Sequence, residues 1–235
     1  MYSDIFCKVY NEFGWNYYPE AFGEQLLQWL NEQALEPRDC LDLGCGTGIL
    51  CRILAEKGID PLGVDLSPGM IAISRQTLPQ LSFEVGDMTG FQAGRSFDLV
   101  TCTGDALNHL PELSLVEQAI ENVYAHLRKG GYFLFDLLDE KEVSDSEPFE
   151  MEFSETVTVR FQMLRKGAAV ELHVTVYEQG ILALEEVIRE TIHDTAAVCR
   201  LLEKAGFQVI KCGHRLPDTG ENQATTWFII AKKED

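Results

Sequence analysis

Cys40-Leu41-Asp42-Leu43-Gly44-Cys45-Gly46-Thr47-Gly48 decides how this chain is read. Its apolar start predicts a buried strand, its alternating glycines a tight turn, and the residues behind it a helix. Positions without Cβ let a ligand approach the backbone to van der Waals contact. The start of the following helix offers free amides. The spacing is D-x-G-x-G-x-G, whereas a dinucleotide fingerprint runs G-x-G-x-x-G. Asp42 enters two residues before the first glycine, where it repels a pyrophosphate and attracts an ammonium group. Alone, the stretch also fits a generic strand–turn–helix of an α/β protein.

The next stretch, Ile59-Asp60-Pro61-Leu62-Gly63-Val64-Asp65-Leu66-Ser67-Pro68, narrows the choice. It is a second short apolar strand ending in an acid. Asp65 falls about 20 residues after Gly44, the distance at which a βαβ unit sets a carboxylate against ribose hydroxyls. Two acceptor oxygens take both hydroxyl protons. Ser67-Pro68 predicts a helix start, with Ser67 as N-cap and Pro68 in the first turn. Met70 has two readings, a thioether on an adenine ring or ordinary core. An acid that welcomes an ammonium and an acid that welcomes a ribose suit S-adenosylmethionine, a zwitterionic sulfonium.

On these motifs the chain resembles the class I S-adenosylmethionine-dependent methyltransferases of small-molecule type. Further stretches follow in family order. Phe83-Glu84-Val85-Gly86-Asp87-Met88 is similar to the third strand and its acidic turn, and Phe97–Thr103 to the fourth strand. Leu127–Asp136 is similar to a helix end, glycine turn and fifth strand, and Leu201–Phe207 to the last helix running into the sixth. The resemblance implies a Rossmann-like α/β fold, a seven-stranded mostly parallel sheet with helices on both faces. It places the cofactor against Asp42, Gly44, Cys45, Gly46 and Gly48, against Asp65, Leu66 and Met70, and against Asp87, Met88 and Thr103. Asp87 is the acid expected at the adenine amino group. Tyr10 and Tyr18 stand where relatives close an aromatic lid over the cofactor, among Phe13, Trp15, Tyr17 and Phe22, which read as packing residues.

Composition agrees. The 235 residues suit one domain with a small elaboration. A formal net charge of −19 opposes binding to phosphate backbones, so nucleic-acid acceptors are disfavoured. The seven cysteines contain no C-x-x-C pair and read as reduced, mostly buried side chains of a cytoplasmic protein, with no metal site. Met1-Tyr2-Ser3-Asp4 has neither a basic region nor a long apolar run, so neither a signal peptide nor a membrane span is expected.

The expected organisation is a single domain over 1–235, with a helical lid over 1–38 and a cofactor-binding core over 39–138. A break at 139–148 precedes a change of period. Phe149, Met151, Phe153, Val157, Val159, Phe161 and Met163 alternate, as do Val170, Leu172, Val174 and Val176. With turns at Arg165-Lys166-Gly167 and Glu178-Gln179-Gly180, this predicts a three-stranded antiparallel insert over 149–193 with one apolar face. In methyltransferases of this kind such an insert roofs the acceptor pocket; a core extension or a dimer contact is the other use of an apolar sheet face. Asp194 predicts the cap of a final helix, and residues 194–235 complete the sheet.

Ligands of open α/β sheets bind beyond the strands' carboxyl ends, which points to Thr103-Gly104-Asp105-Ala106-Leu107-Asn108-His109-Leu110-Pro111. The loop is similar to that of glycine N-methyltransferase and its relatives, with Asp105 in place of their asparagine and with their histidine kept as His109. Ionised Asp105 accepts but does not donate, so it repels a carboxylate acceptor and attracts an amine or hydroxyl. Sulfonium methyl transfer is an in-line displacement that depends mainly on orientation. Where the acceptor must lose a proton, His109 has a suitable pKa. His126 and His173 read as structural, and nothing requires His193 or His214. The expected product is S-adenosylhomocysteine, the expected partner a small-molecule acceptor, and the expected state a monomer or homodimer. The alternatives are a module that binds S-adenosylmethionine without transfer and, against the glycine spacing, a nicotinamide oxidoreductase.

Overall fold

The computed structural model describes Tyr2, Ser3, Phe6, Cys7, Tyr10, Asn11, Trp15 and residues 17–141, 143–213 and 226–234. Phe13 and His214 lie outside the described residues, as does most of the first of the two helices expected before residue 35.

Helix α1 (Tyr17–Glu32) leads into an alternating core of β1 (Asp39–Leu43), α2 (Ile49–Glu56), β2 (Asp60–Asp65), α3 (Pro68–Thr77), β3 (Ser82–Val85) and β4 (Phe97–Cys102). A short 3-10 turn (Ala106–His109), α4 (Leu113–His126) and β5 (Leu127–Leu138) follow. After the insert come α5 (Thr195–Ala205), β10 (Phe207–Gly213) and β11 (Thr226–Lys233). The sheet order is β3-β2-β1-β4-β5-β11-β10, and β11 alone runs against its neighbours β5 and β10. This is the expected seven-stranded, mostly parallel Rossmann-like sheet. The caps read from the sequence are formed: Ser67 accepts from the Met70 amide at 3.4 Å, and Asp194 from the Ala197 amide at 2.6 Å.

Strand alternation loads both faces, as a parallel sheet requires. Phe133 and Phe135 turn to α4 and α5, beside Ile120, Val123, Val198 and Leu202. Leu134 turns to the other layer, with Phe22, Leu26 and Trp29 of α1 and Leu50 and Leu54 of α2. The strand order reverses at β1, which pairs with β2 on one side and β4 on the other. The loops after β1 and β4 therefore diverge, and a cleft opens at the strands' carboxyl ends.

The insert has four antiparallel strands rather than the expected three: β6 (Phe149–Glu152), β7 (Val157–Lys166), β8 (Ala169–Glu178) and β9 (Ile181–Thr191), in that order. The first apolar run is broken by a turn in which the Ser154 hydroxyl accepts from the Thr156 and Val157 amides at 3.3 and 3.1 Å. Phe149 then pairs with Phe161 and Met151 with Val159. The turn keeps the alternation in phase, so both halves face one way and the fold-back leaves no mark on the period. That face packs on Phe6, Cys7 and Met70 through Val159, Phe161, Val174, Val176, Leu184 and Ile188. Asn108 latches it to the core, donating to the Thr191 carbonyl at 2.8 Å and accepting from the Leu138 amide at 3.1 Å.

Candidate active site

Much of the glycine turn's backbone is already bonded. The Gly44 and Cys45 amides both donate to the Val64 carbonyl, at 2.7 and 3.1 Å, and Gly48 donates to Cys45 at 2.9 Å. The Gly46 amide donates to an Asp65 oxygen at 2.9 Å, and the other Asp65 oxygen accepts from Ser67 at 2.8 Å. The expected row of free amides is thus replaced by a turn braced on the end of β2. A Cβ on Gly44 would lie 2.7 Å from the Ala106 Cβ, and one on Gly48 2.7 Å from the Phe83 ring, so both glycines serve packing. Among the described residues, a Cβ on Gly46 would meet nothing within 4 Å. There the turn, at φ +52°, faces open space that a ligand can fill.

Asp42 does not stand at that open side. It is 2 % exposed and accepts from the Thr101 hydroxyl at 2.7 Å and the Cys51 thiol at 3.5 Å. Burial raises its pKa to about 6. The expected ammonium contact is replaced by a brace beneath the turn. Met70 is fully buried under the insert, which is the core reading of that residue. Asp65 keeps unused lone pairs, since a carboxylate has about four acceptor sites and two are taken. Leu66 beside it is 53 % exposed. Asp87 is exposed and takes both bonds from Thr89, at 2.9 and 2.7 Å, on a single oxygen. Met88 bridges the two turns, its methyl 3.8 Å from the Cβ position of Gly44. Cys45 is buried in the turn, and Thr103 is half-buried just beyond β4. An open glycine, a ribose-type acid and an exposed apolar side chain in one cleft fit S-adenosylmethionine.

The loop after β4, where the acceptor is expected, is built on Asp136, near the end of β5 and missed as a site residue in the sequence. Its carboxylate accepts from the Gly104 and Asp105 amides, both at 3.1 Å, and from the Tyr18 hydroxyl. Burial raises its pKa to about 6. It pins the loop after β4 and holds Asp105 in the left-handed region at φ +52°. Tyr18 is therefore committed to Asp136. Tyr10 packs in an aromatic cluster with Tyr2, Phe6 and Trp15. Burial raises its phenol pKa, and the negative charges of Asp105, Asp65 and Glu190 add to this.

His109 Nδ1 is 3.2 Å from the Arg189 carbonyl. A carbonyl only accepts, so Nδ1 carries the proton in the neutral ring and Nε2 keeps its lone pair. Nε2 accepts from the Tyr2 hydroxyl at 3.2 Å and is 3.9 Å from Glu190. Burial lowers the imidazole pKa. One polar atom each of Asp105, His109 and Glu190 lies within 4.8 Å of the others. That spread is wide for a small divalent ion, whose ligands at about 2.1 Å lie at most about 4.2 Å apart. Burial raises the pKa of Asp105, reinforced by Glu190 and Asp136, and also that of Glu190, reinforced by Asp136. Two other histidines are structural, as expected for the first: His126 Nε2 accepts from the Ala93 amide at 3.1 Å, and His193 Nε2 donates to the Leu110 carbonyl at 2.9 Å. Tyr2 and Asn108 were also missed, and no sequence pattern marks either. Glu190 was missed as well, because its facing follows from the strand register described below.

The family profile described as a methyltransferase domain matches residues 40–131. A putative methyltransferase of Geobacillus sp. (strain WCH70) is 35% identical over 239 residues, covering 96% of this chain and 96% of that protein. The chain belongs to the S-adenosylmethionine-dependent methyltransferases. A methyltransferase of this class from Clostridium acetobutylicum ATCC 824 superposes with a TM-score of 0.80 at 20% identity, over 91% of each chain. CalS10, an amino pentose methyltransferase from Micromonospora echinaspora with its cofactor bound, gives 0.78 at 21% identity, over 99% of this chain and 98% of that one. Both likenesses show the class I fold. The dTDP-3-amino-3,6-dideoxy-alpha-D-glucopyranose N,N-dimethyltransferase of Streptomyces fradiae is 31% identical over 55% of this methyltransferase and 50% of that enzyme. Among the described residues, no helix is long and apolar enough to cross a membrane.

Proposed function

We propose that this methyltransferase moves a methyl group to a nitrogen or oxygen of a small-molecule acceptor, in the cytoplasm and as a single domain. The carrying observation is the His109 tautomer: Nδ1 is tied to a carbonyl, and Nε2 is left as an acceptor whose present donor, the Tyr2 hydroxyl, an acceptor's N–H or O–H can replace. When bound, S-adenosylmethionine supplies a sulfonium methyl and leaves as S-adenosylhomocysteine. Asp65 binds the ribose through its unused lone pairs. Asp87 takes the adenine amino group, Leu66 covers the ring face, and the open side of Gly46 admits the methionine end. Tyr10 and the insert exclude water, and Asp136 holds the acceptor loop through Gly104 and Asp105. His109 accepts the acceptor's proton at Nε2.

Asp105 sets the acceptor class. A glycine-like carboxylate is repelled by it and by Glu190 and Asp136, so the glycine N-methyltransferase subgroup fits in loop layout but not in acceptor. The net charge of −19 argues against nucleic acid. The amino-sugar N,N-dimethyltransferase and the amino pentose methyltransferase among the similar proteins support a small acceptor bearing an amine or hydroxyl. The test is a screen of small amines, hydroxyls and thiols with methyl-labelled donor, alongside calorimetric titration with S-adenosylhomocysteine and with NAD. Labelled product supports the proposal. Binding of S-adenosylhomocysteine with no transfer to any class would favour a binding module instead.

A further inference from the structure

Strand β9 brings a group into the acceptor pocket that sequence periodicity did not flag. In the antiparallel ladder Leu184 pairs with Val176, Glu186 with Val174, Ile188 with Leu172 and Glu190 with Val170. Directly opposed residues share a sheet face. Val170, Val174 and Val176 are buried, so Glu186 and Glu190 stand on the face that packs against the core. An ionised carboxylate in such a place is costly unless something compensates it.

Glu186 has a partner, the Ser3 amide at 3.3 Å. Glu190 differs. Its side chain is 12 % exposed and its Oε1 lies 3.9 Å from His109 Nε2. Among the described residues no hydrogen bond is formed by its carboxylate or by that of Asp105, and no lysine or arginine forms an ion pair with either. Arg189, next in sequence, points to the other face and pairs with Glu171 at 3.0 Å. The two carboxylates come from different elements, β9 and the loop after β4. Glu190 lies beside Nε2, the imidazole nitrogen that accepts from the Tyr2 hydroxyl, and an Asp105 oxygen lies within 4.8 Å of a polar atom of each of the other two residues. Such a constellation lacks only a cation, and a cation relieves the cost that burial imposes on both acids.

Resting on the proposed methyl transfer, we infer that Glu190 and Asp105 form an ammonium-recognition site, so that the acceptor is a small molecule bearing a protonated amine. The ammonium takes the place beside Nε2 that the Tyr2 hydroxyl holds. One N–H proton passes to His109 Nε2. The freed nitrogen pair forms the new C–N bond while the C–S bond breaks and its pair goes to sulfur. The product leaves as a methylated ammonium, and the imidazolium returns its proton to water, one proton released per turnover. A hydroxyl acceptor has no charge for the pair to recognise.

The test separates recognition from transfer. The protein saturated with S-adenosylhomocysteine is titrated calorimetrically with a panel of primary amines, from ethylamine to benzylamine and cadaverine, each matched with its alcohol. At least one amine binds ten-fold or more tightly than its alcohol. Glu190→Gln, which keeps the shape, weakens that amine about ten-fold and leaves S-adenosylhomocysteine within two-fold; Asp105→Asn weakens it in the same sense. If no amine outbinds its alcohol, or if both variants leave the preference intact, the inference is overturned. If Glu190→Gln fails to fold, Asp105→Asn decides the outcome alone. Amine binding that depends on these acids without labelled methyl transfer upholds the recognition site and counts against the proposed transfer. Transfer to alcohols alone, untouched by Glu190→Gln, does the reverse.

Discussion

The two ends of the central sheet treat carboxylates in opposite ways. At the amino end Arg128 bonds Asp39 at 2.7 Å and Asp98 at 2.6 Å, and Arg38 adds a bond to Asp98 at 3.0 Å. The Arg38 hydrogen bond leads in holding Asp98 well below the usual carboxylate range, and Arg128 lowers it further. Burial works to raise Asp39, but the Arg128 bonds outweigh it and the net shift is downward. At the carboxyl end Asp42, Asp65, Asp105, Asp136 and Glu190 are all shifted upward, chiefly by burial. Among the described residues, none of these five has a lysine or arginine ion-pair partner. Paired charges at one end serve stability, and carboxylates without a basic partner at the other mark the end where the proposed chemistry lies.

The largest test of that contrast is His109→Ala. Loss of a general base typically lowers turnover about 10²–10⁴-fold. We expect a fall of that order in kcat with S-adenosylhomocysteine affinity within a few-fold, measured by labelled transfer and calorimetry. Equal loss of both would make His109 structural.

Asp65→Ala comes next. Removing two hydrogen bonds to ribose, at roughly 1–2 kcal/mol each, weakens cofactor binding by about 2–4 kcal/mol. Unchanged affinity for S-adenosylhomocysteine would remove Asp65 from the ribose site.

The third prediction turns on pH. Asp42 and Asp136 titrate near 6 in the fold against about 3.9 unfolded. Between those values the folded state binds more protons. The stability these groups contribute is complete below about pH 4 and lost as pH rises through about 6. A shift of two units corresponds to about 2–3 kcal/mol. In thermal or urea melts, Asp42→Asn, which keeps an oxygen for Thr101, flattens the decline between pH 4 and pH 7. A decline of unchanged depth would show that Asp42 is not its source.

The smallest effect belongs to the amino end. Arg128→Ala destabilises by about 1–2 kcal/mol at pH 7, a charged-pair value discounted for solvent exposure. The loss shrinks as pH falls from about 4, where Asp98 of the unfolded chain is protonated, toward its depressed pKa in the fold, the opposite slope from the carboxyl end. S-adenosylhomocysteine affinity stays unchanged, because these ion pairs lie across the sheet from the glycine turn. A change in cofactor affinity would break the division between the two ends.

Local patterns determined most of the fold. The D-x-G-x-G-x-G spacing, the strand ending at Asp65, the Ser67 and Asp194 caps and the alternating apolar strands are events within a few residues of one another, and each is governed by backbone sterics or one hydrogen bond. The turn at 154–156 escaped because it preserved the alternation. What a side chain does once the chain is folded was less legible. Asp42 sits where a motif puts a ligand contact, yet the buried thiol of Cys51 and hydroxyl of Thr101 claim it. Met70, one turn into its helix, meets an insert that begins some 80 residues later. Glu190 acquires its meaning from a strand register and from Asp105 and His109, about 80 residues away. The sequence by itself determined the fold family and the glycine turn with its strand-end acids, because both follow from short-range spacing. Only the tertiary structure decided which acids are braces and which are left bare beside the His109 lone pair, because desolvation and charge pairing depend on neighbours that folding brings from distant parts of the chain.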